Sequence, residues 1–196
     1  MTAPGRSRLQ RLGAPALFVL LWSTGFVGAQ YGLPYAEPLT FLGVRMVIAA
    51  ALLATVALVL RADVPPRPAQ YGHSAAVGLL LHAGYLGGVF VAISLGVPAG
   101  VSAVVVSLQP VLTVVLAGPV LGERAAPRQW LGLALGVVGV AVVVWPGLTA
   151  AAGQAGSLSL PGLLACLVAL ASGTAGTVYQ KRYGGGVPML WGTAVA

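Results

Sequence analysis

The chain has 196 residues, of which 58% are apolar (Ala, Val, Ile, Leu, Met, Phe, Trp, Tyr or Cys) and only 7% are charged. Because soluble domains carry roughly 25% charged residues, this composition excludes a water-soluble globular protein. The net charge of +7 does not indicate nucleic-acid binding, since the basic residues lie beside apolar runs and form no continuous patch. We therefore predict an all-α, polytopic transmembrane helix bundle embedded in a lipid bilayer.

Apolar runs long enough to span a bilayer recur along the chain. Crossing ~30 Å of hydrocarbon takes about 20 residues of helix, because backbone groups in lipid must be hydrogen-bonded within the helix itself. The runs that meet this length are Ala14–Leu33, Leu39–Leu60, Ser74–Leu95, Ala99–Leu121, Gln129–Trp145 and Leu158–Tyr179. A seventh run begins near Val187 and reaches Ala196. The first run exceeds the ~7–15 apolar residues of a signal peptide, so we predict a retained helix.

The basic residues predict the orientation of these helices. All but one of the 10 Lys and Arg residues lie in the N-terminal tail or in every second gap: Arg6, Arg8, Arg11, Arg61, Arg67, Arg124, Arg128, Lys181 and Arg182. The opposite gaps, 34–38, 96–98 and 146–157, contain one acid, Glu37, and no base. Since Lys and Arg resist translocation, the N terminus is predicted to be cytoplasmic and the sixth helix to return to the cytoplasmic side.

Turn-forming residues divide the chain into segments. Prolines mark the ends of the runs: Pro34, Pro38, Pro65, Pro66, Pro98, Pro146 and Pro161. The longest external gap is rich in Ala, Gly and Ser, which favours a boundary between two units. The predicted segments are a cytoplasmic basic tail, a first repeat of five helices, an external linker and an incomplete second repeat, at 1–13, 14–146, 147–157 and 158–196 respectively.

The sixth helix weakly repeats the first. Both end in a small, hydroxyl-rich patch followed by Gln: Ser23, Thr24, Gly25, Gly28 and Gln30 in one, and Ser172, Gly173, Thr174, Gly176 and Gln180 in the other. A repeat of five helices restarts on the opposite side of the membrane, because five is odd. Inverted repeats are typical of secondary transporters with a site near the midplane.

The segment VPAGVSAVVVSLQPVLTVVLAGPVLGERAAPRQWLGLALGVVGVAVVV (residues 97–144) resembles the fourth and fifth helices of the EamA-like family of the drug/metabolite transporter superfamily. The matching elements are Gln109–Pro110, the Gly122–Glu123–Arg124 turn, and Trp130-x-Gly132. LTFLGVRMVIAALLA, with Arg45, and LLWSTGFVGAQYGLP are similar to the second and first helices. The resemblance implies a ten-helix protein of two inverted repeats that moves small metabolites or drugs across the bacterial inner membrane. Of that pattern the chain covers one repeat, one further helix and a fragment.

Arg45 is the only charged residue inside a predicted span. An intramembrane cation costs roughly 2.5–3.5 kcal/mol at the centre of a helix, so we expect Arg45 to have a structural or functional role. It could face an internal cavity and attract a carboxylate-bearing solute. Alternatively, it could extend outward to the headgroups or to Glu37 and fix the helix in the membrane.

Further polar residues within the spans are candidates for the solute pathway. His82 could relay protons with Tyr85 one turn further on, or it could simply be hydrogen-bonded to a neighbour. Pro110 should interrupt the fourth helix beside Gln109 and Ser107, either to line a pathway or as a tolerated Pro with Ser bonded to its own helix. The remaining candidates are Trp22, Ser23, Thr24, Ser172 and Thr174.

Glycines at small-xxx-small spacing predict close helix contacts. The pairs and triplet are Gly28/Gly32, Gly84/Gly88 and Gly132/Gly136/Gly139. We expect them to pack helices within the chain, with dimerisation as the alternative.

These patterns predict a secondary transporter or exporter of small organic metabolites or drugs, working by alternating access without a cofactor, metal site or catalytic residue. No span contains Asp or Glu, so proton exchange at an intramembrane carboxylate is not expected; a neutral or zwitterionic solute fits better. Cys166 is the only cysteine and lies within a run as a packing residue. Two alternatives stay open: a fragment that is inactive or needs a homodimer or the missing second-repeat helices, and, less favoured, a membrane enzyme acting on lipid-linked substrates.

Overall fold

The computed structural model describes residues 8–64, 67–122, 125–150, 158–185 and 187–196. Within these ranges every regular element is helical, so the all-α prediction is confirmed. The helices are α1 (Arg8–Gly32), α2 (Pro38–Val59), α3 (Pro68–Ser94), α4 (Ala99–Leu121), α5 (Pro127–Thr149), α6 (Leu160–Tyr183) and α7 (Met189–Val195).

The length and composition of the helices make the chain a multi-pass membrane protein. Among the described residues, five helices, α2 to α6, are long and apolar enough to cross a membrane. Helix α1 covers the first predicted span with 25 residues but is not among those five. It begins in the basic sequence around Arg8 and Arg11.

Several helices extend beyond the apolar runs. Helix α3 begins at Pro68 and not at Ser74, because proline is favoured in the first turn, where no backbone N–H is required. Helix α6 begins inside its run, after Ser159, whose Oγ accepts a hydrogen bond from the Gly162 N–H at 3.2 Å, and it continues past the run to Tyr183. Helix α5 continues through Pro146 to Thr149, into the predicted linker. Pro146 therefore does not end this helix as predicted: its carbonyl still accepts from the Ala150 N–H at 3.0 Å. The rest of the linker, 151–157, and the Glu123–Arg124 turn lie outside the described residues.

Helices α3 and α6 form the centre of the bundle. They pack along each other, and α6 also contacts both halves of α4. Helix α2 packs against α3 and α7, while α5 packs mainly on the first half of α4. In the apolar stretch of α6 44% of residues are buried, and in that of α5 only 6%. Helix α5 is therefore at the periphery.

Glycines allow α3 and α6 to approach closely. A Cβ on Gly88 would lie 2.9 Å from the Ala169 Cβ and 3.0 Å from the Ala165 carbonyl oxygen. A Cβ on Gly84 would lie 2.6 Å from the Ser172 Oγ. The prediction that this pair packs helices within the chain is confirmed.

The other glycine motifs behave differently. Around Gly28, Gly132, Gly136 and Gly139 a Cβ would meet no atom within 4 Å among the described residues, and Gly32 faces only the Phe41 ring. For the α5 triplet the prediction of packing within the chain is therefore wrong. Small spacing permits close approach but does not supply a neighbouring helix.

Helices α3 and α4 are irregular. The π-helical segment Leu79–Leu86 lies in the middle of α3. Helix α4 consists of Ala99–Val106 and Gln109–Leu121 with a turn between them, and the Leu108 N–H donates to the Val105 carbonyl at 3.2 Å. The predicted interruption before Pro110 is confirmed, because proline has no N–H to continue the helical pattern.

Side-chain hydrogen bonds connect loops and helix ends at each of the two ends of the bundle. The Arg182 Nη1 of α6 donates to the Val120 carbonyl near the end of α4 at 3.0 Å, and the Trp191 Nε1 donates to the Ala62 carbonyl after α2 at 3.2 Å. At the other end the Ser159 Oγ donates to the Leu95 carbonyl at 2.9 Å. The segments that follow α2, α4 and α6 therefore lie at one end of the bundle, and this is the end that carries the basic gaps of the sequence. That this side is cytoplasmic stays a prediction.

Candidate functional site

A cavity of about 450 Å³ lies between α1, α2, α3, α4 and α6. Pockets for small organic molecules measure roughly 300–1,000 Å³, so its size suits a metabolite. Most of its walls are apolar or aromatic: Phe18, Leu21, Trp22, Phe26, Met46, Leu81, Tyr85, Leu86, Val89 and Phe90. Its other lining residues are Gly25, Arg45, His82, Gln109 and Thr177.

The cavity brings together predicted pathway residues from four helices. They are Trp22 of α1, Arg45 of α2, His82 and Tyr85 of α3, and Gln109 of α4. None of these is closer than 23 residues to the next along the chain except the pair in α3. Folding thus assembles one site from separated sequence signals.

The other candidates are not among the residues lining this cavity. Ser23 and Pro110 are exposed. The hydroxyls of Thr24, Ser107 and Thr174 donate to carbonyls of their own helices, namely those of Leu21, Val104 and Leu170. Ser172 lies against Gly84 in the seam between α3 and α6. Their roles in transport stay predictions.

Arg45 is turned toward α1. A Cβ on Gly25 would lie 3.8 Å from its Nη2, so a glycine at this point of α1 leaves the guanidinium room. Within the described part of the chain, no hydrogen bond or ion pair involves Arg45, and Glu37 does not pair with it. Arg45 lines the cavity and is also exposed, so both alternatives for this side chain stay predictions. Its donors are free for a ligand.

Tyr85 is a buried wall of the same cavity. The residue is only 4% exposed, and its ring stacks on Trp22 with centroids 6.4 Å apart. The ring edge fits against α6 because position 173 is a glycine, where a Cβ would lie 2.8 Å from the Tyr85 Cδ2. Its hydroxyl has no hydrogen-bond partner among the described residues. The oxygen is not among the fully buried, unpaired polar atoms of the described residues, so it keeps accessible surface and can donate to a bound polar group.

Gln109 connects the interruption of α4 to α6. Its Nε2 donates to the Thr177 Oγ1 at 2.8 Å and to the Gly173 carbonyl at 3.2 Å. Thr177 was not predicted as a site residue, because a lone Thr facing another helix has no sequence signature. Gln109 and Thr177 thus form a polar bridge between α4 and α6 in the lining of the cavity.

Removing this bridge tests its energetic contribution. We expect the double-mutant cycle of Gln109→Leu and Thr177→Val to give a coupling energy of about 0.6 kcal/mol, the typical value for a hydrogen bond between membrane helices. The measurement is reversible unfolding in mixed detergent micelles. Thr24→Val serves as the control, since its hydroxyl bonds only within α1. Coupling as large between Gln109→Leu and Thr24→Val would contradict the bridge.

His82 and a second histidine lie toward the end of the bundle where α6 ends. The His82 Nδ1 lies 3.0 Å from the Ala196 carbonyl oxygen. Since this oxygen can only accept, the Nδ1 carries the proton. His73, not among the predicted site residues, has its Nδ1 2.9 Å from the Tyr179 hydroxyl and its ring parallel to Tyr183 at 5.2 Å. These partners are 106 residues or more away, which a single sequence does not reveal.

The charge of the cavity is simple. Among the residues that the structure describes, its lining contains one arginine and no acidic residue. Within the described ranges, no group of three His, Cys, Asp or Glu side chains could hold a metal ion. The arrangement can bind a carboxylate by charge-assisted hydrogen bonds while aromatic side chains contact an apolar body.

Comparison with known proteins shows which sequences the chain is similar to. Residues 14–145 match the sequence profile of the EamA-like transporter family. The chain is 33% identical over 183 residues to the "Uncharacterized transporter YvbV" of Bacillus subtilis, covering 92% of this chain and 56% of that protein. It is 30% identical over 166 residues to a "Probable amino-acid metabolite efflux pump" of Salmonella typhimurium, covering 85% and 52%. No solved structure matches the chain significantly. The chain thus spans about half the length of these relatives.

Proposed function

Since this chain belongs to the EamA-like transporter family, we propose that it carries small organic metabolites across a bacterial inner membrane. The solute site is the cavity of about 450 Å³ between α1, α2, α3, α4 and α6, which we call the central cavity. The observation that carries the proposal is the free guanidinium of Arg45 in a cavity of about 450 Å³. A cation kept inside a membrane span without a partner among the described residues is costly unless a ligand uses it.

The cavity favours a solute with a carboxylate and an apolar body. The planar fork of Arg45 can bind both carboxylate oxygens, and the Tyr85 hydroxyl can supply a further donor. The rings of Trp22 and Phe18, 5.4 Å apart, line the wall beside them. An amino-acid-like zwitterion or a monocarboxylate has these properties. The Salmonella relative, whose name specifies amino-acid metabolite efflux, supports export of such molecules.

The proposed mechanism is alternating access driven by the solute gradient or a coupled ion, without a nucleotide. The irregular parts of α3 and α4 adjoin the cavity, where a bend changes which side is open. The basic gaps support a cytoplasmic N terminus. Reporter fusions after Pro66 and Pro98 should then lie on opposite sides of the membrane.

The length of the chain bears on its activity. Because the relatives are about twice as long, a second half is expected to complete the transporter. A second copy of this chain or the further helices of a second repeat would supply it. The alternative, a fragment that is inactive without such a partner, has the same support.

Matched solutes test the proposal. Purified protein in proteoliposomes is expected to exchange labelled phenylalanine, and phenethylamine, which has the same ring without a carboxylate, is expected not to compete. In detergent, millimolar phenylalanine should raise the thermal midpoint, since a ligand that binds only the folded state stabilises it. Equal competition by the amine would exclude carboxylate recognition. Absence of both exchange and stabilisation would contradict a solute site in this chain.

A further inference from the structure

A second cavity, of about 290 Å³, adjoins the central one. It lies where α3 begins and α6 ends, and it is lined there by His73, Gln180 and Gly184. Helix α7 and its flanking residues line its other side. We call this space the vestibule. Among its lining residues, Leu81 and His82 also line the central cavity.

Leu81 and His82 contact different parts of the bundle: Leu81 packs on α6, and His82 is hydrogen-bonded to the residue after α7. They belong to the π-helical segment of α3. The Leu81 side chain rests in the space left by Gly176 of α6, where a Cβ would lie 2.7 Å from its Cδ2. The His82 Nδ1 donates to the Ala196 carbonyl after α7 at 3.0 Å. The pair therefore bridges α6 and α7 at the boundary of the two cavities.

We propose that Leu81 and His82 form the constriction through which a solute passes between the vestibule and the central cavity. An apolar side chain at a narrow point excludes water and charged groups until neighbouring helices move, as in hydrophobic gates of channels. Because His82 contacts α7 and Leu81 contacts α6, a displacement of either helix changes the opening. The inference rests on the proposed function, and the predicted orientation makes this the cytoplasmic entrance.

Cysteine labelling tests the constriction without requiring transport. The native Cys166 is fully buried (0% exposed), so the parent chain gives an unlabelled background. Met46→Cys reports on the central cavity and Gln180→Cys on the vestibule. A membrane-impermeant anionic methanethiosulfonate is applied to the cytoplasmic side of inside-out vesicles. Each reporter is combined with Leu81→Trp, with Leu81→Ala, or with Leu79→Trp as the control, since Leu79 is 70% exposed.

We expect Leu81→Trp to slow labelling of Met46→Cys by about tenfold and Leu81→Ala to speed it by about threefold. Neither change should alter labelling of Gln180→Cys, and Leu79→Trp should alter neither reporter. If Leu81→Trp fails to fold, the Leu81→Ala rate decides. An unchanged rate at Met46→Cys in the Leu81 variants, or no cytoplasmic labelling of it in the parent, would overturn the inference. Absent phenylalanine exchange together with the expected labelling would contradict the proposed function alone.

Discussion

Replacing Arg45 with alanine is expected to lower phenylalanine exchange by about 10- to 100-fold, because a hydrogen bond to a charged group contributes about 1.5–3 kcal/mol. Arg45→Lys should give an intermediate rate, since the ammonium keeps the charge but cannot bind both carboxylate oxygens in the plane of a fork. The measurement is initial exchange in proteoliposomes at equal protein content. Stabilisation of the detergent-solubilised protein by phenylalanine should fall in parallel.

The matched control is Arg128→Ala. Arg128 is exposed in the first turn of α5 and does not line the central cavity. Its loss should leave exchange within about twofold of the parent. If Arg45→Ala and Arg128→Ala lowered exchange equally, or if Arg45→Ala folded normally and exchanged at the parent rate, Arg45 would not bind the solute. The first result would indicate a general effect of positive charge on insertion.

Replacing Gly88 with leucine is expected to prevent stable packing of α3 on α6. Even a single Cβ at this position would lie 3.0 Å from the Ala165 carbonyl oxygen and 3.1 Å from the Ala169 backbone nitrogen, and backbone atoms cannot turn away as a side chain can. Overpacking costs typically 1–3 kcal/mol, and we expect about 3 kcal/mol or more at this backbone contact. The yield of monodisperse protein and its thermal midpoint in detergent should both fall.

Gly136→Leu in α5 provides the comparison. The substitution is identical, but a Cβ there meets no atom within 4 Å in the part of the chain that the structure describes. We expect a thermal midpoint close to that of the parent. A loss of stability as large as that of Gly88→Leu would contradict the assignment of α5 to the periphery. A stable Gly88→Leu protein would contradict the close seam.

The close seam also fixes the site. Gly173 leaves space for the Tyr85 ring and approaches the Gln109 Oε1, so the cavity wall depends on how near α6 lies to α3 and α4. Arg45 and Trp22 are on helices outside this seam. The cavity is therefore formed between a tightly packed centre and more loosely held outer helices. Such a boundary suits a solute site that must open and close.

The sequence alone determined the class of the protein, its helices and one irregularity. Apolar runs long enough to cross a bilayer are expected to be helices, because lipid offers no hydrogen-bond partner for backbone N–H and C=O groups. A proline within such a run must interrupt the hydrogen bonding, and Pro110 follows the turn in α4 as predicted. The π-helical segment of α3 was not predicted, because no proline or similar residue marks it.

Only the tertiary structure decided which helices are central and which polar side chains meet. Hydropathy cannot distinguish a helix buried in protein from one facing lipid, because both surroundings are apolar. The glycine motifs of α5 and α3 share the same spacing, yet in the described part of the chain only the motif of Gly84 and Gly88 has a neighbouring helix against it. The place of Arg45 in α2 left both alternatives for its side chain open. That its guanidinium lies beside Gly25 of α1 is a contact between distant segments, and such contacts arise only when the chain folds.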